Sequence, residues 1–173
     1  MALHESLGPV RTSISDIAAQ AGVERATVYR HFPDERALLT ACTGHYVAQH
    51  PPPDPAPWGE IADPEARLRT ALAEVYAYHR RTERMTDRAS RDLADAPVLR
   101  EVLAPEFAYW ARVRDALAAG WPGSEERRAL VIAAIGHAIA FATWRTLVRE
   151  QGLDEALAVA AMVALVRGLA ADG

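Results

Sequence analysis

No lysine occurs in the 173 residues, so all 19 formal cations are arginine. We read that as a GC-rich coding bias rather than as chemistry. Cysteine is nearly absent too. Cys42 stands alone, which excludes an intrachain disulfide and fits a reducing cytosol. Long apolar runs are missing: the uncharged stretch Ala129 to Trp144 is too short and too alanine-rich for a membrane span. The opening residues Met-Ala-Leu-His-Glu have neither the basic region nor the apolar core of a signal peptide. No stretch alternates with period two, so no sheet is expected, and there is no internal repeat. Catalytic signatures are lacking as well: no HExxH, no phosphate loop, no GxSxG. Of the six histidines (His4, His31, His45, His50, His79 and His137) only His45 and His50 come loosely near a metal-binding spacing. No catalytic residue, metal or cofactor is expected, and the chain does not read as an enzyme. A net charge of −4 argues against indiscriminate binding to nucleic acid.

What is present is a half-apolar, alanine-rich chain able to bury a sizeable core. Its organising stretch is Ser13 to Phe32, SISDIAAQAGVERATVYRHF. Ser13-Ile14-Ser15-Asp16 places a hydroxyl acceptor three residues before a carboxylate, the pattern of an N-terminal cap. A helix over about 14–21 follows. Gly22 stops it, because a left-handed residue past a helix end is least strained without a Cβ. A second helix spans about 24–31. Two short helices joined by a glycine turn form a helix-turn-helix, whose second helix can enter a DNA major groove. Ala18 is small where the helices cross, and Val23 and Val28 are expected to fix the crossing angle.

The run continues TVYRHFP (27–33) and DERALL (34–39). From Thr12 to Leu39 it resembles the tetracycline-repressor (TetR) family of bacterial transcriptional regulators. The rest of the chain resembles that family in helical plan and length. The resemblance implies double-stranded DNA as partner, with Thr27, Tyr29 and His31 at positions that commonly touch it. Arg25 and Arg30 can neutralise phosphate or read guanine, and Arg36 is expected to take the place of the family's phosphate-contacting lysine. Two positions depart from the family: Glu24 stands where many members have serine, and Glu35 where they have a phosphate-contacting lysine. Residues 1–50 hold four arginines against five acids, a poor electrostatic footprint for DNA.

The start of the chain departs furthest. Family members carry a full first helix, often behind a basic arm. Here seven residues precede Gly8, roughly 10 Å of helix, and Arg11 is the only cation before Arg25. Leu3 to Leu7 can make a turn or two. We expect a truncated first helix, a start at an internal methionine or a decayed paralogue, weak DNA binding, and a motif that melts before the larger domain.

Further along, Asp34 caps a helix running to about His50. Pro51 to Pro57 is expected to be a loop that cannot be helix. Asp63-Pro64-Glu65 starts a helix with Leu68, Leu72, Val75, Tyr76 and His79 on one face. Thr82 to Ala94 is expected to form a separate, shorter helix. Glu106 to Ala119 places Phe107, Trp110, Ala111, Arg114 and Leu117 on a common face. Ser124 to Glu150 reads as one long helix, buried on several sides. Asp154 caps the last helix, where Ala156, Ala160, Ala164 and Gly168 form a small-residue stripe that admits a close neighbour.

The expected fold is all-α, with a helix-turn-helix DNA-binding domain and connecting helix over 1–50 and a helical effector-binding and dimerisation domain over 51–173. Tyr76, His79, Phe107, Trp110, Arg114, His137, Phe141 and Trp144 lie on helices that must share a core. They either fill it or line a pocket for the small effector that the resemblance implies. His137, within an apolar run, is expected to be buried. The stripe at Ala156, Ala160, Ala164 and Gly168 is the expected homodimer interface. The resulting reading is a cytoplasmic, ligand-responsive repressor acting as a homodimer on a palindromic operator. The alternatives are a helical, dimeric small-molecule-binding protein without DNA function and, third, an enzyme.

Overall fold

Ser13 and Asp16 satisfy each other's backbone at the start of helix α1 (Ile14–Ala21). The Asp16 amide donates to the Ser13 hydroxyl at 3.1 Å, and the Ser13 amide donates to the Asp16 carboxylate at 3.0 Å. Amides that a helix start leaves without partners are thereby occupied. The computed structural model describes Gly8 and residues 12–171. The expectations for a truncated first helix, a Leu3–Leu7 turn and the placement of Arg11 lie outside the described residues.

Gly22 ends α1 at φ +66°, and its amide donates to the carbonyls of Ala18 and Ala19. Helix α2 (Arg25–His31) follows, with Ala18 on α1 and Val28 on α2 both buried. Val23 is not part of that contact. It is 41 % exposed, because it lies in the turn with its amide bonded back to the Ala18 carbonyl at 3.0 Å. Asp34 caps α3 (Glu35–Gln49) by accepting from the Ala37 amide at 2.7 Å.

The proline-rich stretch does contain a helical turn, α4 (Ala56–Gly59). Pro57 sits in its first turn, where a missing N–H removes no intrahelical bond. The turn delivers Trp58 into the core at 2 % exposure. Helix α5 runs unbroken over Pro64–Asp92. The separate helix expected from Thr82 merges into it, because neither glycine nor proline interrupts those 29 residues. An Asp87–Arg91 pair, four apart, supports its charged end. Leu68, Leu72, Val75, Tyr76 and His79 are all buried along it, as their spacing requires. Helices α6 (Pro97–Val102) and α7 (Ala104–Ala118) follow.

The long helix expected over 124–150 is broken. Helix α8 (Glu125–Ala138) stops, Ala140 is extended at φ −69° and ψ 138°, and the chain resumes as α9 (Phe141–Trp144). A π-helical turn over Arg145–Glu150 continues α9. The two stretches are bent by 64°. At the break the carbonyls of Ala138 and Ile139 are taken by side chains, and the His137 carbonyl, which accepts from the Ala140 amide at 3.1 Å, receives a side-chain donor as well. Thr143 Oγ1 donates to His137 O at 2.6 Å, Tyr76 Oη to Ala138 O at 3.1 Å, and His79 Nε2 to Ile139 O at 2.9 Å. A buried carbonyl without a donor is expensive, so these bonds make the break tolerable inside a core. Helix α10 (Glu155–Ala170), capped by Asp154, packs chiefly on α8.

Among the described residues the architecture is all-α, with no strand. No single helix is long and apolar enough to cross a membrane. Packing divides the chain into two units. One holds the described residues up to 51 and 82–107; in it Leu39, Ala96 and Leu99 form a small core where α3 meets α6. The other holds residues 52–81 and 108–171, with a large core built from α4, the first part of α5, α7, α8, α9 and α10.

Candidate functional sites

The first site is the outer face of α2. Val28 points into the motif at 5 % exposure, and this orients its neighbours outward. Arg25, Tyr29, Arg30 and His31 are exposed, and Thr27 is half-buried. Tyr29, at 46 % exposure, presents a large ring and a hydroxyl on a helix of seven residues. Such a face offers hydrogen-bond donors of both neutral and cationic type, as phosphate and base-edge contacts need. Glu24 begins the helix without a side-chain cap. Arg36 behaves differently. Its guanidinium lies 2.5 Å from the Glu101 carboxylate on α6, with both side chains more than half exposed.

Residues 1–42 match the model of bacterial regulatory proteins of the tetR family. The chain carries the DNA-binding domain of the TetR family. That domain supports a TetR-type DNA-binding transcriptional regulator. The match covers the N-terminal quarter of the sequence, including all of α1 and α2. No curated protein and no solved structure matches the chain significantly.

The second site of this TetR-type protein lies in the larger core. Its centre is His79, 4 % exposed, on α5. Five aromatic rings surround the imidazole. Centroids lie at 6.4 Å for Tyr76, 5.9 Å for Tyr78, 5.9 Å for Trp110, 5.6 Å for Phe141 and 6.1 Å for Trp144. Phe141 stands edge-on, within the range in which aromatic pairs attract. Burial pushes the His79 pKa down to about 4, with the bond to Ile139 O opposing it weakly, so the ring is neutral at pH 7. Because Nε2 donates to Ile139 O, Nδ1 carries a lone pair. That buried atom has no hydrogen-bond partner among the described residues.

Two polar atoms of the wall, Tyr76 Oη and Trp144 Nε1, are engaged. Tyr76 Oη donates to Ala138 O, and burial pushes its own pKa up. Trp144 Nε1 donates to Glu155 at 3.4 Å, and Glu155 is itself held by Arg80 at 2.5 Å. Arg149 covers the Trp144 ring with its guanidinium carbon 4.9 Å from the centroid.

Five of the eight residues expected to share a core therefore converge: Tyr76, His79, Trp110, Phe141 and Trp144. Three do not. Phe107 is 45 % exposed and belongs to the other packing unit. His137 is exposed, because it lies with Ala133, four residues earlier, on the side of α8 opposite the buried Val131, Ala134, Ile135 and Ala138. Its ring lies near Thr143 Oγ1, 3.3 Å from Nδ1. Arg114 is half-buried, pairs with its neighbour Asp115, and runs its stem against Gly136. Tyr78 is a member that the single stripe overlooks. A second spacing, Ala71, Val75, Tyr78 and Thr82, runs beside it on α5, and all four are buried. The stripe residues Ala156, Ala160, Ala164 and Gly168 are all exposed on α10. Leu157 and Leu165 flank them at 58 % and 42 % exposure, and Leu130 on α8 is 48 % exposed.

Proposed function

We propose that this protein is a cytoplasmic, ligand-responsive repressor that binds a palindromic operator as a homodimer. The observation that carries the reading is the exposed donor face of α2 standing on buried Val28 within a TetR-family domain. Arg25, Thr27, Tyr29, Arg30 and His31 meet DNA, and Arg36 adds a phosphate contact once released from Glu101. Residues 1–50 serve DNA binding, and residues 51–173 serve effector binding and dimerisation. Support for dimerisation comes from the exposed Leu130 of α8 and Leu157 and Leu165 of α10, on two helices that pack together. Ala156, Ala160, Ala164 and Gly168 admit the partner's helices closely, giving an isologous four-helix contact. An effector held at the aromatic site changes the separation of the two recognition helices. The fit to half-sites about one helical turn apart changes with it.

Selection of bound sequences from random DNA at low salt is the test. A palindromic consensus is the expected result. A second reading, a dimeric small-molecule-binding protein of the same fold without DNA function, is favoured by one observation: Arg36 is already paired with an acid in an N-terminal region with more acids than arginines. Recovery of no consensus, by protein that is folded and dimeric, would establish that second reading.

A further inference from the structure

His79 Nδ1 is a buried acceptor without a donor among the described residues, enclosed by aromatic rings of which Tyr76 and Trp144 donate to other groups. Leaving such an atom unpaired is a cost that folding alone does not require. We propose that His79 Nδ1 is the polar anchor for a neutral aromatic molecule carrying one hydrogen-bond donor, of the phenol type, held among Tyr76, Tyr78, Trp110, Phe141 and Trp144. This rests on the effector reading above and gives that effector a chemical class.

Each property of the class follows from a feature of the site. The ligand must donate, because an imidazole nitrogen bearing a lone pair can only accept. It must be neutral. The carboxylate shown beside the rings, Glu155, is occupied by Arg80, and Arg149 lies over Trp144, so a cation finds repulsion and no free counter-charge. An anion would bring an acceptor against the Nδ1 lone pair in a desolvated place. It is aromatic because five rings at 5.6–6.4 Å from the imidazole offer edge and face contacts on several sides. Trp110 and Phe141 are the two half-buried rings, whereas Tyr76, Tyr78 and Trp144 are buried. The molecule therefore enters by parting Trp110 on α7 from Phe141 on α9.

The probes are 2-naphthol and its methyl ether, 2-methoxynaphthalene, which share a ring system and differ in the donor. Titration calorimetry on the full chain at pH 7 is combined with the ¹⁵N resonance of the His79 ring. The expected result is saturable binding of 2-naphthol, at least tenfold weaker binding of the ether, and a shift of the Nδ1 resonance with the naphthol only. His79→Phe should bring the two affinities together. Should that variant fail to fold, the wild-type resonance still decides. Equal affinities, binding of naphthol that leaves Nδ1 unmoved, or no binding of either probe would overturn the assignment. A naphthol complex anchored on His79 that keeps its operator affinity would instead overturn the effector reading and leave the binding site standing.

Discussion

Tyr76 and His79, three residues apart on α5, bond to consecutive carbonyls of one broken helix, those of Ala138 and Ile139. The pair does structural duty first. A helix end inside a core leaves acceptors that water cannot reach, and these two side chains supply the donors. Tyr76→Phe removes one donor and keeps the ring. Stability should fall by roughly 1–3 kcal/mol, the cost of a buried carbonyl left unpaired. Urea unfolding of the two proteins measures it, and an unchanged midpoint would mean that the Ala138 carbonyl has another donor.

The pH dependence follows from the same histidine. In the unfolded chain His79 has the ordinary pKa of 6.5; folding lowers it to about 4. Between those values the unfolded state binds a proton that the folded state refuses, so stability rises with pH there. Going down in pH, the loss begins near 6.5 and levels off near 4. Its full size is roughly 3 kcal/mol for a group this buried. The contribution of His79 is isolated by subtracting the stability curve of His79→Gln from that of wild type. A difference that is flat from pH 7 to pH 4 would show that the ring is already protonated in the fold, or reached by water.

Much of the fold is legible from local chemistry, and the exceptions have physical causes. The Ser13–Asp16 cap, the Gly22 stop and the Asp34 cap are local, and each appears where its residues say. The buried stripe of α5 follows from spacing alone. The break at Ala140 does not. Nothing in the local sequence (no proline, no adjacent glycine) announces it, because its stabilising donors come from Tyr76 and His79 more than fifty residues earlier and from Thr143 just after. The same tertiary event explains why Phe141 and Trp144 reach His79, whereas His137, in an apolar run, is exposed because it falls on the outer face of α8. Two helical turns that look like linkers or charged surface are also overridden: α4 by the burial of Trp58, and the end of α5 by continuity. The aromatic site is thus half legible. Its members are visible as core aromatics, but their convergence on one unpaired nitrogen is not.

The recognition helix separates fold from contact in adjacent residues. Val28→Asp places an unpaired charge at a site with 5 % exposure and should lower the stability of its packing unit by at least roughly 3 kcal/mol. Tyr29→Phe, at a site 46 % exposed, should change stability by no more than about 0.5 kcal/mol. Its effect belongs to DNA. Loss of a hydroxyl donated to phosphate should weaken binding about tenfold for every sequence alike, since phosphate contacts position without reading bases. Thermal unfolding and binding to two unrelated duplexes at one salt concentration give both halves. Equal melting temperatures for wild type and Val28→Asp would misplace the inner face. A loss confined to one duplex would make Tyr29 a base-reading residue.

The last prediction concerns assembly. Helix α10 buries Ala158, Val159, Val163, Val166 and Ala170 in its own core, yet its opposite side is also mostly apolar, with Arg167, 3.5 Å from the Glu65 carboxylate, as its cation. Leu157, Ala160, Ala161, Ala164, Leu165 and Gly168 all face outward. Leucines at 58 % and 42 % exposure beside a small-residue stripe describe a surface that a second copy of the chain can cover. Two such helix pairs related by a twofold axis would meet with the alanines at the crossing, where only small side chains let backbones approach. Ala160→Arg puts a long cation at that crossing. Because Ala160 is exposed within the protomer, the substitution should leave helicity and the protomer core intact. In sedimentation the wild type should run as a dimer and Ala160→Arg as a monomer. Ala160→Ser, small and uncharged, should stay dimeric, which separates steric exclusion from any general intolerance of the site. A dimeric Ala160→Arg would move the interface off α10 altogether.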